Sequence, residues 1–303
     1  MSYDPDALLD RRRLKRRLRI WQAVTLLVVV GGILAYLQAQ GTLLRGERIV
    51  RIHVEGVIVR DDARSRTLAR LAEDDDVRAV IVHVDSPGGS VVGGEDLYNG
   101  LRAIAQAKPV TTVMGTVATS AAYMTAIATD RIFAREGTIT GSIGVILQTA
   151  NVSELLERIG VEPVTIKSSA LKGVPSPVET LTLEGRAATE QVVLDLYDFF
   201  VDLVIERRPI DAEAVRRLAD GRVFSGRQAV QNNLIDAIGD EAAAIDWMVR
   251  EHDLPDGLPI ETVRTSADED NFLEKITGLA GKSLFSNALT LDGLVSLWQP
   301  SAR

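Results

Sequence analysis

Between Arg48 and Ile166 short β-rich runs alternate with helix-compatible segments, and this alternation confines the chain to an α/β architecture with mostly parallel strand pairing. The β-rich runs are Arg48 to Val59, Val77 to Val84 (Val-Arg-Ala-Val-Ile-Val-His-Val), Val110 to Met114, Arg131 to Ala134 and Pro163 to Ile166. Helix-compatible stretches lie between them at Ala63 to Glu73, Val91 to Gln106, Ala121 to Ala128 and Val152 to Ile159. A long amphipathic helix is expected from Leu183 to Arg207, entered through Thr182 and closed before Pro209. Shorter helices are expected over Ala212 to Leu218, Gly226 to Asn232 and Glu241 to Glu251. With 303 residues, 46% of them hydrophobic, the chain can bury one sizeable core or two modest ones.

The N-terminus sets the expected topology. No residue from Ile20 to Leu37 is charged, and a helix of that length rises roughly 27 Å, close to the thickness of a bilayer core. Arg11, Arg12, Arg13, Lys15, Arg16, Arg17 and Arg19 precede it, and Trp21 and Tyr36 fall where interfacial aromatics belong. This pattern predicts a cytoplasmic basic segment (residues 1–19), a transmembrane anchor (20–38), a linker (39–47), a main domain (48–252) outside the cytoplasm and a C-terminal extension (253–303). A cleaved signal peptide is the alternative, but no small-x-small cleavage pattern follows Leu37. In the extension, apolar groups recur at Phe272, Leu273, Ile276, Leu279, Leu294, Leu297 and Trp298, a pattern that packs against a subunit or frays.

Several function classes fall away on composition. The chain has no cysteine, so disulfides, thiolate metal sites and cysteine nucleophiles are excluded. Its histidines, His53, His83 and His252, stand far apart without metalloprotease spacing, and no metal or cofactor is expected. Of 34 basic and 42 acidic residues only 7 and 3 precede residue 40, so the remainder carries a formal net charge of −12. Such a surface repels phosphate backbones, and nucleic acid is not an expected partner.

Three short segments carry chemistry. Asp85-Ser86-Pro87-Gly88-Gly89 ends a strand just before a helix near Val91, where the Gly88 and Gly89 amides meet the positive end of a helix dipole and can face an oxyanion. The same residues also suit an ordinary turn. Ser120 precedes an apolar helix-like segment, where a hydroxyl ordinarily caps the helix; turned into a cleft instead, it is a nucleophile with the Ala121 amide as a second oxyanion donor. Lys172 lies in Ile166-Lys167-Ser168-Ser169-Ala170-Leu171-Lys172-Gly173. A neutral amine can activate a serine, but lowering a lysine pKa by about three units costs about 4 kcal/mol, which burial must supply. Lys167 is the nearby control. His83, in an apolar strand beside Ile81 and Asp85, reads as a structural histidine, although a Ser-His-Asp triad through it remains formally open.

Taken together, Asp85 to Gly89, Ala118-Thr119-Ser120 with Tyr123, Thr140-Gly141-Ser142-Ile143-Gly144-Val145, Lys167 to Lys172, and Gly221-Arg222-Val223-Phe224-Ser225-Gly226 leading to Leu234-Ile235-Asp236 with Ile238-Gly239 resemble the short, membrane-anchored form of the bacterial signal peptide peptidase A family. The likeness covers roughly Ile49 to Trp247. It implies a Clp-protease/crotonase-like fold behind one transmembrane helix, with Ser120 as nucleophile, Lys172 as general base, Gly89 in the oxyanion hole and Ser142 orienting the lysine amine. It further implies an inner-membrane serine endopeptidase, catalytic domain on the periplasmic side, that cleaves residual signal peptides and assembles into rings whose dyads can be shared between protomers. The chain departs from the family pattern at Ala121 and Ala122, where glycines are usual, and at Gly173, where aspartate usually follows the base. Two rivals stay open: a crotonase-like acyl-thioester enzyme, which needs no serine nucleophile, and a non-catalytic membrane scaffold.

Overall fold

The structure, a computed structural model, describes residues 17–32, 46–264 and 295–297. It divides into two units, Met1–Glu47 and Arg48–Arg303. In the first, residues 17–32 form a helix, α1. Among the described residues no helix is long and apolar enough to cross a membrane. The expected span of 20–38 continues past residue 32 into residues outside the described ones, as do Phe272, Leu273, Ile276, Leu279, Leu294 and Trp298.

The second unit is built on a nine-stranded, mostly parallel sheet. Its strands are β1 (Arg48–Ile58), β2 (Val77–Ser90), β3 (Val110–Thr119), β4 (Arg131–Ala134), β5 (Ile139–Gly141), β6 (Val223–Ser225), β7 (Ala237–Ile238), β8 (Ile260–Val263) and β9 (Val295–Leu297). The main path runs β6-β5-β3-β2-β1-β8, with β4 on β3 and β7, and β9 on β2. The helices are α2 (Asp62–Glu73), α3 (Val91–Ala105), α4 (Ala121–Ile127), α5 (Ser153–Arg158), α6 (Leu183–Arg207), α7 (Ala212–Leu218), α8 (Gly226–Gln231) and α9 (Glu241–His252).

Strand alternation sorts the core into two layers. Val80, Val82 and Val84 of β2 face a cluster containing Leu68 of α2, Leu97 and Leu101 of α3, Met124 of α4 and Phe200 of α6. Ala79 and Ile81 face the other way, toward Ala244 and Met248 of α9. Each such fully buried valine, leucine or isoleucine contributes roughly 1.5–3 kcal/mol. The helices begin at the signals the sequence carries: Asp61, Ser90, Thr182, Asp211 and Asp240 each accept a first-turn amide, and Ser225 with Gln228 closes a capping box.

Three expectations are corrected. Pro163 to Ile166 forms no strand; a β-prone run needs a hydrogen-bonding neighbour, and here Val164 and Ile166 are 82% and 96% exposed. The expected amphipathic stripe of α6 is confined to its C-terminal half, at Phe200, Val201 and Val204, while Leu183, Val192 and Leu194 are exposed. The third concerns β2, which does not stop at Asp85. It continues to Ser90, so Ser86-Pro87-Gly88-Gly89 is extended chain rather than a turn.

Candidate active site

The extension of β2 defines the site. A register shift in β1 between Glu55 and Val57, at Gly56 with φ of 67°, lets β1 follow β2 to its end, pairing Val57 with Gly88 and Ile58 with Gly89. The approach is so close that a Cβ on Gly89 would lie 1.8 Å from the Ile58 carbonyl oxygen. Gly89 is therefore required by a neighbouring strand, whatever ligand it meets on its other side. Gly88, with φ of 104°, donates its amide to the Ser86 hydroxyl at 3.1 Å, and that hydroxyl donates to the Gly56 carbonyl at 2.6 Å.

On its other edge β2 parts from β3. Their ladder ends at Ser86 opposite Ala118, after which β3 reaches Thr119 and turns at Ser120 into α4. Thr119 donates its hydroxyl across the fork to the Pro87 carbonyl at 3.0 Å. The edge of β2 that β3 leaves is taken by β9, which runs antiparallel with Leu297, Ser296 and Val295 opposite Gly88, Gly89 and Ser90. That edge has the geometry of β-strand addition, in which an extended peptide pairs with a free sheet edge.

Ser120 occupies the crotch of the fork. It is 1% exposed and adopts φ 61°, ψ −122°, a conformation that costs a residue with a Cβ of order 1–3 kcal/mol. Its side chain makes no capping bond to α4, so the ordinary reading of a serine at this position does not hold. Instead its amide donates to the Gly141 carbonyl at 2.8 Å, and its carbonyl accepts from Met124 at 2.9 Å. A strained serine on a sharp strand-to-helix turn is a recurrent arrangement for presenting a nucleophile. Ala121 and Ala122 are fully buried beneath it; the Ala121 methyl would lie 3.1 Å from a Cβ at Gly94 of α3, so this helix pair has no room for larger residues.

The surroundings hold that turn rigidly. α4 is buried along its whole length, and its last carbonyls are met by guanidinium groups: Arg207 donates to Ile127 and Thr129 at 3.0 and 3.2 Å, and Arg102 to Ala128 at 3.0 Å. Tyr123 donates its hydroxyl to the Leu234 carbonyl at 2.8 Å, and its burial pushes the phenol pKa well up. Beside Ser120, β5 pairs Gly141 with Thr119 and leads into Ser142, which is buried, has φ of 52° and donates its amide to the Arg222 carbonyl at 2.8 Å.

Ser120, Gly88, Gly89, Ala121 and Ser142 thus converge on the C-terminal ends of β2, β3 and β5. Lys172 lies on none of these strand ends; it is exposed on the segment between α5 and α6. The control candidate Lys167 is instead engaged by the Glu179 carboxylate. His83 is excluded from the site by topology. It lies on the α9 face of the sheet, where Nε2 meets Glu241 and the ring stacks on His53, while α4 packs on the opposite face.

The profile of Peptidase family S49 matches residues 102–254, which include Ser120, Ser142 and Lys172. The chain belongs to peptidase family S49. As an S49 member it is a serine peptidase. A profile of Clp protease also matches residues 38–139, spanning the glycine strand and the Ser120 turn, in keeping with an α/β, Clp-protease-like fold. A protein of Enterococcus faecium that carries the name signal peptide peptidase SppA is 36% identical over 230 residues, covering 71% of this chain and 67% of that protein. The chloroplastic serine protease SPPA of Arabidopsis thaliana is 30% identical over 221 residues, 72% of this chain and 32% of the plant protein. A ClpP1 mutant structure from Listeria monocytogenes superposes with a TM-score of 0.43 at 15% identity, covering 64% of this S49 chain and 94% of its own.

Among the residues around the site, the glutamate facing Lys167 escaped the sequence: Glu179 is 12 positions from Lys167 and no local pattern links them.

Proposed function

We propose that the chain is a membrane-anchored endopeptidase that cleaves short apolar peptides, including residual signal peptides, through a Ser120–Lys172 dyad. The observation that carries this reading is the uncapped, strained Ser120 at the fork beside an edge of β2 that takes an antiparallel strand. A peptide extended along Gly88 to Ser90 in the place of β9 runs past the Ser120 hydroxyl.

In the reaction, neutral Lys172 accepts the Ser120 proton as Oγ attacks the scissile carbonyl. The Gly89 and Ala121 amides face the oxyanion, with Ser142 orienting the lysine amine. Collapse breaks the C–N bond, and the departing amine takes the proton back from Lys172. Water, deprotonated in turn by Lys172, then attacks the ester, and the Oγ–acyl bond breaks as Lys172 returns that proton to Ser120 and the new carboxyl group departs. Gly88 supports the strand through its bond to Ser86.

Lys172 is exposed in a single chain, and a neutral amine at working pH needs a drier environment. A second protomer supplies it in the proposed ring, covering Val164, Ile166, Leu171 and Leu183, all exposed here. The uncharged run from Ile20 to Leu37 behind seven basic residues supports an inner-membrane anchor with the catalytic unit on the periplasmic side.

The test is labelling of the purified protein by a fluorophosphonate, with peptide cleavage by Ser120→Ala and Lys172→Ala. Labelling at Ser120 and loss of cleavage in both variants are expected. Cleavage that survives both substitutions sinks the dyad; an unlabelled Ser120 with acyl-thioester turnover favours the crotonase-like rival.

A further inference from the structure

The segment that carries Lys172 is fastened at its base. Lys167 and Glu179, 12 positions apart, form an ion pair that closes the loop between them, with side chains only 17% and 34% exposed. The Lys167 hydrogen bond holds the Glu179 carboxyl below its usual range. The far end of the loop is tied to the start of α5: the Val152 amide donates to the Pro177 carbonyl at 2.8 Å, and the Asn151 side chain to the Glu179 carbonyl at 3.5 Å. Between the ties, Val174 rests on Gly185 in the first turn of α6, where a Cβ would come within 2.7 Å of the valine methyl. The Lys172 amide donates to the Ser169 carbonyl at 3.2 Å and Gly173 follows with φ of 76°, so the lysine sits on a local turn carried by the loop that the ion pair closes.

We propose that the Lys167–Glu179 ion pair is a positioning device for Lys172, fixing where the base stands when it meets Ser120. It rests on the dyad reading above. Glu179 acts through the loop rather than on the reacting atoms, and its carboxylate engages the Lys167 amine. A misplaced base loses catalysis steeply, because a displacement of about 1 Å costs on the order of 10²-fold in rate.

The experiment compares fluorophosphonate labelling rates and the pH profile of peptide cleavage for the full-length assembled protein, Lys167→Gln, Glu179→Gln and the charge swap Lys167→Glu/Glu179→Lys. Each single variant is expected to label Ser120 roughly tenfold or more slowly, with kcat reduced, KM little changed and the ascending limb of the profile moved to higher pH. The charge swap is expected to recover most of the loss, which a general folding defect does not allow. Single variants that label and cleave at the wild-type rate across the profile overturn the inference, as does a loss that the swap leaves uncorrected. If wild-type Ser120 itself fails to label, the dyad and the inference fall together; labelled wild type with indifferent variants removes the inference alone.

Discussion

The amide of Ser120 donates to the carbonyl of Gly141 at 2.8 Å, joining the turn at the end of β3 to the strand that delivers Ser142. This bond and the burial of every residue of α4 hold Ser120 at a positive φ that the residue does not favour. Removing the side chain should therefore separate stability from activity. Ser120→Gly is expected to raise the unfolding free energy by about 1 kcal/mol, since glycine adopts this region without strain, while abolishing peptide cleavage. Thermal unfolding alongside a cleavage assay reads both. A Ser120→Gly protein less stable than wild type would mean that the turn stores no strain.

Gly89 has the opposite character. A Cβ there meets the Ile58 carbonyl oxygen at 1.8 Å, a backbone atom unable to swing aside. Gly89→Ala should push β1 from β2 at the fork and destabilise the domain by about 3 kcal/mol or more. Gly137, where an added Cβ meets nothing within 4 Å, is the control: Gly137→Ala should leave the unfolding midpoint within a degree or two. Equal midpoints for the two variants would show that the β1–β2 approach is slacker than described.

Glu241 links the first residue of α9 to the sheet. Burial raises its carboxyl pKa, but the Arg51 guanidinium and the His83 ring outweigh that and hold it below the usual range. A folded-state value below the unfolded one stabilises the protein above the unfolded carboxylate pKa, and the contribution is lost as pH falls through the folded value. Glu241→Gln should cost about 1 kcal/mol at pH 7, with the difference from wild type closing as pH falls through the folded-state value of the carboxyl. Denaturant titrations at pH 7 and through the acid range measure it. His83→Gln should likewise weaken the fold while leaving Ser120 reactive; loss of Ser120 labelling in that variant would revive a histidine mechanism.

Most of the scaffold was legible because its signals are local. Thr182 before Leu183 and Pro209 after Arg207 bracket α6, and the apolar run from Val77 to Val84 announces a buried strand. Ser86 to Ser90 was misread for a physical reason. Proline and two glycines favour a turn by local propensity, but the bulged β1 offers them a strand partner that lies some thirty residues away in sequence. The site was legible in the same measure: Ser120, the glycines and Ser142 could be picked from motifs, yet the strain that separates a nucleophile from a helix cap exists only once β3 and β5 are paired. Nor does any local pattern fix the environment of Lys172.

That environment yields the last prediction. Val164 and Ile166 lie on the segment leading to Lys172, β-prone and 82% and 96% exposed, and α6 offers Leu183, 88% exposed, at the segment's other end. With Lys172 as the proposed base, apolar side chains so exposed beside it are expected to form a contact between copies. Ile166→Asp and Val164→Asp should then reduce the assembly to smaller species, seen by sedimentation. Peptide cleavage per chain should fall at least tenfold, because burying a charge in place of a methyl group is costly and because the base is left in water. The fold itself should survive, since neither side chain touches the core, and the unfolding midpoint of the dissociated chain serves as the check. Should the substituted protein remain assembled, this segment is not the contact; should it dissociate and still cleave at the full rate, one chain alone makes a working dyad and the exposed lysine needs no partner.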